Sequence, residues 1–199
     1  NNAEDLRDEL LKIAFGVWDH VKNHCTEFDS ENLALDWLGF LPGKRESRRY
    51  LGDHILTMDD VRAEGKFDDL VAYGGFPMDE HDYRGFYNRE LGTIYHPTPS
   101  PFGIPYRCLY SRNIDNLFCA GRNISATHLA MSSSRVMATG SIMGQAVGIA
   151  ASIAVRDGLS PRGVYEKNIP ELKQKLMDDD CWLPWHVRDI PSLSKNAGL

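Results

Sequence analysis

Residues 115–148 decide the fold, and they read DNLFCAGRNISATHLAMSSSRVMATGSIMGQAVG. The apolar run Leu117–Ala120, which ends at Gly121, predicts a short strand buried at the centre of a sheet. A loop of small polar residues follows, and a long helix is predicted to start between Ser132 and Val136. The order of strand, glycine and helix start favours binding of an anion or a polar oxygen. The first N–H groups of a helix have no partner within it, and its dipole is positive at that end.

Three glycines recur every four residues inside this helix, at Gly140, Gly144 and Gly148. The helix is predicted to continue to about Arg156 and to end at Gly158. Residues four positions apart share one face of a helix, and each glycine costs about 1 kcal/mol relative to alanine. Close approach of another backbone or of a flat ligand would compensate for that cost. Tight packing of the helix without a ligand is the alternative.

The composition excludes several classes of function. The chain has 199 residues, of which 42% are apolar and 25% charged, as in folded domains rather than disordered chains. A net charge of −6 gives no support to nucleic-acid binding or to a basic membrane anchor. The uncharged stretch 136–155 is long enough to cross a membrane. Its glycines and polar residues instead predict a buried helix of a soluble protein, with no membrane span.

The spacing of the cysteines and the absence of several motifs limit the kinds of site that the sequence predicts. The four cysteines are far apart and form no Cys-x-x-Cys pair, which predicts free thiols and no metal site. The sequence contains no Gly-x-Gly-x-x-Gly dinucleotide fingerprint, no P-loop and no Gly-x-Ser-x-Gly nucleophile motif. The chain starts at Asn1 without a methionine, so we expect a processed product or a fragment.

The rest of the chain carries ordinary secondary-structure signals. Apolar residues at helical spacing predict a first helix over Leu6–Val21. Four prolines between His96 and Pro105 predict a stiff, extended loop. The other predicted elements are a short helix over Glu31–Trp37, an extended segment over Arg48–Ile55, a capping box at Thr57–Asp60, strands over Ile104–Tyr110 and Asn116–Ala120, and helices from Pro161 and over Pro170–Met177.

Several separate blocks of this sequence, in the expected order, closely resemble the C-terminal part of the FAD-dependent oxidoreductases. That family is related to flavoproteins of the fumarate reductase and glutathione reductase type. The blocks are residues 41–49, 56–61, 72–77, 104–109, 115–128, 134–139 and 144–148.

The resemblance implies a fold and a partner. The fold is mixed α/β and helix-rich, the C-terminal part of a two-domain FAD-binding fold that lacks the N-terminal Rossmann half. Residues 1–110 would form a helix-rich region of substrate-domain or cap type. Residues 111–160 would complete the FAD site, and residues 161–199 would form a last helix and tail. The partners are then the N-terminal nucleotide-binding half and a small-molecule substrate, with no nucleic acid.

The resemblance also implies roles for individual residues. The residues expected to bind FAD are Gly121, Arg122, Ser125, Thr127, Met137, Ala138 and Thr139. His128 and Arg135 are the catalytic candidates. Arg135 would either anchor negative charge on the flavin or close a hydrogen-bond network at the helix start. Arg45, Arg48 and Tyr106 are the substrate candidates. Arginine suits bidentate recognition of a carboxylate, and solvent-exposed salt bridges are the alternative for this basic cluster.

The expected activity is transfer of a hydride or two electrons between FAD and a small organic substrate. A protein of a different class is the alternative: a stand-alone interaction or assembly domain derived from a flavoprotein, without catalysis. The fragment alone would be inactive, because the half that holds the ADP moiety of FAD is not in this sequence. The compartment stays open between the cytoplasm and a secreted or periplasmic location.

Overall fold

The computed structural model describes residues 2–27, 29–43, 46–82, 84–88, 90 and 92–190. The chain divides into two compact units, Asn1–Ser47 and Arg48–Leu199. Arg45, one of the substrate candidates, lies outside the described residues.

The first unit is built on helix α1, Ala3–Asp19, which continues into one wider helical turn over His20–His24. Glu4 and Asp5 lie in the first turn, where negative charge is stabilised by the helix dipole. The predicted first helix is therefore confirmed.

The predicted helix over Glu31–Trp37 is wrong, because most of this segment has no regular structure. The Lys22 ammonium group donates hydrogen bonds to the carbonyl oxygens of Ser30, Glu31 and Leu33, at 2.8, 2.7 and 2.9 Å. Those carbonyls would otherwise accept from N–H groups four residues on, so this contact holds the segment out of a helix.

The second unit is mixed α/β and rich in helix, as predicted. Its strands form two antiparallel pairs, Leu70–Gly74 with Phe102–Pro105 and Met78–His81 with Thr93–His96. The helices are α2 Met58–Arg62, α3 His128–Ser134, α4 Met137–Asp157, α5 Pro161–Lys167 and α6 Ile169–Asp178, and the strands are β1 Leu70–Gly74, β2 Met78–His81, β3 Thr93–His96 and β4 Phe102–Pro105.

Local signals in the sequence set several helix ends. Thr57 and Asp60 form the predicted capping box at α2, with Thr57 Oγ1 accepting from the Asp60 N–H at 3.1 Å and Asp60 Oδ2 accepting from the Thr57 N–H at 2.9 Å. Ser160 caps α5 through the Gly163 N–H. Gly158 ends α4 in the left-handed conformation, at φ +63°.

Helix α4 packs one face into the core, against β1, α5 and α6. The buried residues of that face are Thr139, Met143, Ala146, Ala150, Ile153 and Ala154. By length and composition alone α4 could cross a membrane, and among the described residues it is the one helix that meets this test. Core helices of soluble proteins meet it as well. The absence of a membrane span stays a prediction.

Two predicted strands around residues 104–120 are shorter than expected. Strand β4 ends at Pro105, and a 3₁₀ turn follows over Tyr106–Cys108. Tyr110 and Phe118 then form one isolated antiparallel bridge. Leu117–Ala120 is therefore not a central strand here, because within the described residues no further strand pairs with it.

Candidate functional site

The first turn of α4 is exposed and uncapped. Val136 occupies the N-cap position with extended dihedrals, and its apolar side chain cannot accept a hydrogen bond. The first N–H bonded back into the helix is that of Gly140, which donates to the Val136 carbonyl at 2.9 Å. Met137 is 89% exposed, and Ala138 is exposed too. The backbone donors of this turn are consequently available to a ligand.

The loop that follows Phe118 lies directly beside this turn. A Cβ placed on Gly140 would lie 3.9 Å from the Cα of Gly121. Gly121 itself has φ +86°, a backbone conformation that is strained for L-residues with a side chain. The structure therefore brings Gly121 together with the helix start that contains Met137, Ala138 and Thr139.

The glycine face of α4 is open. A Cβ on Gly144 or on Gly148 would meet no atom within 4 Å, and both glycines are exposed. Among the described residues, nothing packs tightly against these two glycines. The described residues leave this face uncovered.

The remaining cofactor candidates differ in accessibility. Arg122 is exposed and Thr127 is half-buried. Ser125 is 1% exposed, and its Oγ is a buried atom without a hydrogen-bond partner. Thr139 faces the core, so it offers its backbone rather than its side chain. An unpartnered buried hydroxyl is uncommon in proteins and fits a polar ligand or water at this position.

The two catalytic candidates stand at opposite ends of the short helix α3. His128 is its first residue and is exposed, whereas Arg135 caps its C-terminus. Arg135 Nη2 donates to Asp79 Oδ2 at 2.7 Å. This partner lies on strand β2 rather than at the helix start, so a local network at the helix start stays a prediction. A direct contact of Arg135 with flavin stays a prediction.

The structure contradicts the substrate role of Tyr106. The side chain is 0% exposed, and its hydroxyl donates to the Pro161 carbonyl at 2.9 Å. Burial raises the pKa of Tyr106, so the phenol stays neutral. An aromatic residue beside a proline-rich loop fits either a substrate site or a core position. Long-range packing places Tyr106 in the core. Arg48 is exposed.

Sequence reasoning missed two carboxylates that organise this unit. Asp53 accepts hydrogen bonds from Arg162 Nε and Nη2, both at 2.8 Å, and from the Tyr110 hydroxyl at 2.7 Å. The hydrogen bond from Arg162 lowers the pKa of Asp53. Asp79 is the second carboxylate. No local pattern marks the arginine pairing of either residue, because Arg162 and Arg135 are far away in the sequence.

A family model identifies the chain. The model of the FAD dependent oxidoreductases matches residues 2–176, which is most of the sequence. The chain belongs to the FAD dependent oxidoreductase family, and the cofactor of this family is FAD. The resemblance stated from the sequence is thereby confirmed, and the assignment indicates a flavin-linked redox function. A search of curated proteins and a search of solved structures each gave no match.

The residues present fit part of this cofactor. The uncapped turn at Met137 offers backbone donors of the kind that a flavin carbonyl accepts. Among the described residues, no atom lies within 4 Å of a Cβ built on Gly121, Gly144 or Gly148, which leaves room for a flat ring beside them.

Proposed function

We propose that this chain is the C-terminal portion of an FAD-dependent oxidoreductase that transfers a hydride or two electrons between FAD and a small organic substrate. The proposal rests on the uncapped first turn of α4, which lies beside Gly121. The family assignment supports it, since a flavin-linked reaction needs a site of this kind.

The proposed role of the first turn of α4 is electrostatic. Bound FAD supplies the redox chemistry, in which negative charge accumulates on the pyrimidine ring upon reduction. The N–H groups of Met137 and Ala138 would donate to that ring, and the positive end of the helix dipole would favour its charge. These donors are fixed by the helix, so they need no rearrangement when the charge develops.

The rest of the cofactor needs another polypeptide segment. No dinucleotide fingerprint occurs in the sequence, so we propose that a separate nucleotide-binding half holds the ADP moiety. Two surfaces of this chain would receive it. One is the open face with Gly144 and Gly148, and the other is the edge of Leu117–Ala120. Arg122, Ser125 and Thr127 would then line the cofactor, and exposed His128 would lie near its ring.

A single backbone donor tests the proposal. Met137 is the first residue of α4, where proline is well tolerated, and Val136 already has the extended ψ of 149° that a following proline requires. Met137→Pro thus removes one N–H group and leaves the helix intact. Met137→Ala is the matched control, because it removes the side chain and keeps the donor.

The measurement is FAD affinity of the full-length polypeptide, followed by quenching of flavin fluorescence. We expect Met137→Pro to weaken binding of oxidised FAD about two- to tenfold relative to Met137→Ala, since the oxidised ring is neutral and a hydrogen bond between neutral groups contributes about 0.5–1.5 kcal/mol. Equal affinities of the two variants would show that the first turn of α4 does not bind the flavin. A full-length wild-type protein that binds no flavin would instead favour the interaction or assembly domain.

A further inference from the structure

The junction between α3 and α4 sets where the proposed flavin-binding turn points. Arg135 ends α3, and the next residue, Val136, is already the N-cap of α4. The Arg135 N–H still donates to the Met131 carbonyl of α3, at 3.0 Å. The direction of α4 therefore depends on the dihedral angles of two residues, without a loop between the helices.

Arg135 is fixed from outside this junction. Its guanidinium donates to Asp79 on strand β2, and both side chains are largely buried, at 19% and 12% exposure. Strand β2 is held in turn by β3 and by α3, because Ser133 Oγ donates to the Phe76 carbonyl just before the strand. The Asp79 carboxylate thus belongs to a β-hairpin that packs against α3.

The hydrogen bonding of Asp79 is incomplete. Its Oδ2 accepts from Arg135, and His81 Nε2 lies 3.2 Å from the same oxygen, with His81 Nδ1 3.2 Å from Thr93 Oγ1. Its Oδ1 is buried and has no partner. Arginine–carboxylate pairs are frequently bidentate, whereas this one uses a single carboxylate oxygen. A buried oxygen without a partner is uncommon in native proteins and marks Asp79 as a residue that stability alone does not explain.

We propose that Asp79 is a positioning residue of the flavin site. It holds Arg135 at the junction and thereby fixes the first turn of α4. This inference rests on the function proposed above, in which the N–H groups of that turn bind the flavin. Such donors act only when they are held close to their productive geometry. Asp79 need not touch the cofactor, since it acts through Arg135.

The same hairpin supplies a matched control. Glu80, the next residue of β2, accepts from His96 Nε2 at 2.9 Å and forms a second carboxylate–cation pair. His96 lies on β3 rather than at the helix junction. Glu80→Ala therefore removes a comparable hairpin contact and leaves Arg135 and its partner in place.

The experiment measures the FAD dissociation constant and the visible circular dichroism of bound flavin in the full-length polypeptide. We expect Asp79→Ala to weaken FAD binding about tenfold, equivalent to about 1.4 kcal/mol, and to change the dichroism. Glu80→Ala should retain wild-type binding. Asp79→Asn keeps an oxygen that accepts from Arg135 Nη2, so it should restore affinity to within about threefold of wild type.

A double substitution separates positioning from a general loss of stability. If Asp79 acts through Arg135, adding Asp79→Ala to an Arg135→Ala protein should change affinity less than twofold. Additive losses, or equal binding by Asp79→Ala and Glu80→Ala, would overturn the inference. Should Asp79→Ala not accumulate as folded protein, Arg135→Ala alone decides, because wild-type affinity in that variant overturns the proposal. A wild-type protein without flavin overturns the proposed function, and this inference with it.

Discussion

The open glycine face of α4 makes an unusual prediction about stability. Gly144→Ala places a methyl group where no atom lies within 4 Å, so it creates no clash. Alanine is favoured over glycine in a helix interior by about 0.8–1 kcal/mol. We therefore expect the substitution to stabilise the 199-residue chain by that amount. For a chain of this size, 1 kcal/mol raises the melting temperature by about 2–4 °C.

A second glycine of the same helix gives the opposite expectation. Gly158 has φ +63°, a conformation that costs an L-residue roughly 1–2 kcal/mol. Gly158→Ala should thus lower the melting temperature although it also has free space around its Cβ position. Thermal unfolding followed by circular dichroism, with both variants in the same buffer, measures the pair.

The outcome decides whether the face is open. Destabilisation by Gly144→Ala would show that the glycine is packed within the chain, and the reasoning about a free face would be refuted. In the full-length flavoprotein the larger change Gly144→Leu should reduce retention of FAD, because its side chain would occupy the space proposed for the nucleotide-binding half. Unchanged flavin content in that variant would contradict the proposed packing.

Two further predictions concern the core and acid stability. Tyr106→Phe should destabilise the chain by about 0.5–1.5 kcal/mol, since it removes the buried hydrogen bond from the Tyr106 hydroxyl to the Pro161 carbonyl. It should leave FAD affinity unchanged, and weaker binding would reinstate Tyr106 at the site. The pKa of Asp53 is lowered by its hydrogen bond from Arg162. The pKa of Asp60 is lowered as well: burial acts to raise it, and the hydrogen bonds from Thr57 and His54 outweigh that effect. Their stabilisation is complete above the ordinary pKa of 3.8 and is lost as the pH falls through the lowered values. The urea concentration at the midpoint of unfolding should therefore decrease when the pH falls below about 4. The decrease should be smaller in Asp53→Asn, and an equal decrease in that variant would contradict this assignment.

The sequence by itself determined several helix ends, although it also predicted a loop where α3 lies and a helix over Glu31–Trp37 that the structure does not contain. The periodicity of α1, the capping box at Thr57, Ser160 before α5 and Gly158 after α4 all depend on residues within a few positions of one another. Such interactions form in the same way wherever the segment lies, so a linear pattern is sufficient to predict them. The ordered blocks also identified the family, because they preserve a linear order.

Tertiary structure alone decided which of the candidate residues lie near one another. Tyr106 binds Pro161 across 55 positions of sequence, and Arg135 binds Asp79 across 56. Leu117–Ala120 has the composition of a central strand, yet within the described residues it forms only one bridge. A strand, unlike a helix, completes its hydrogen bonds with a distant segment. Its state is therefore set by what packs beside it.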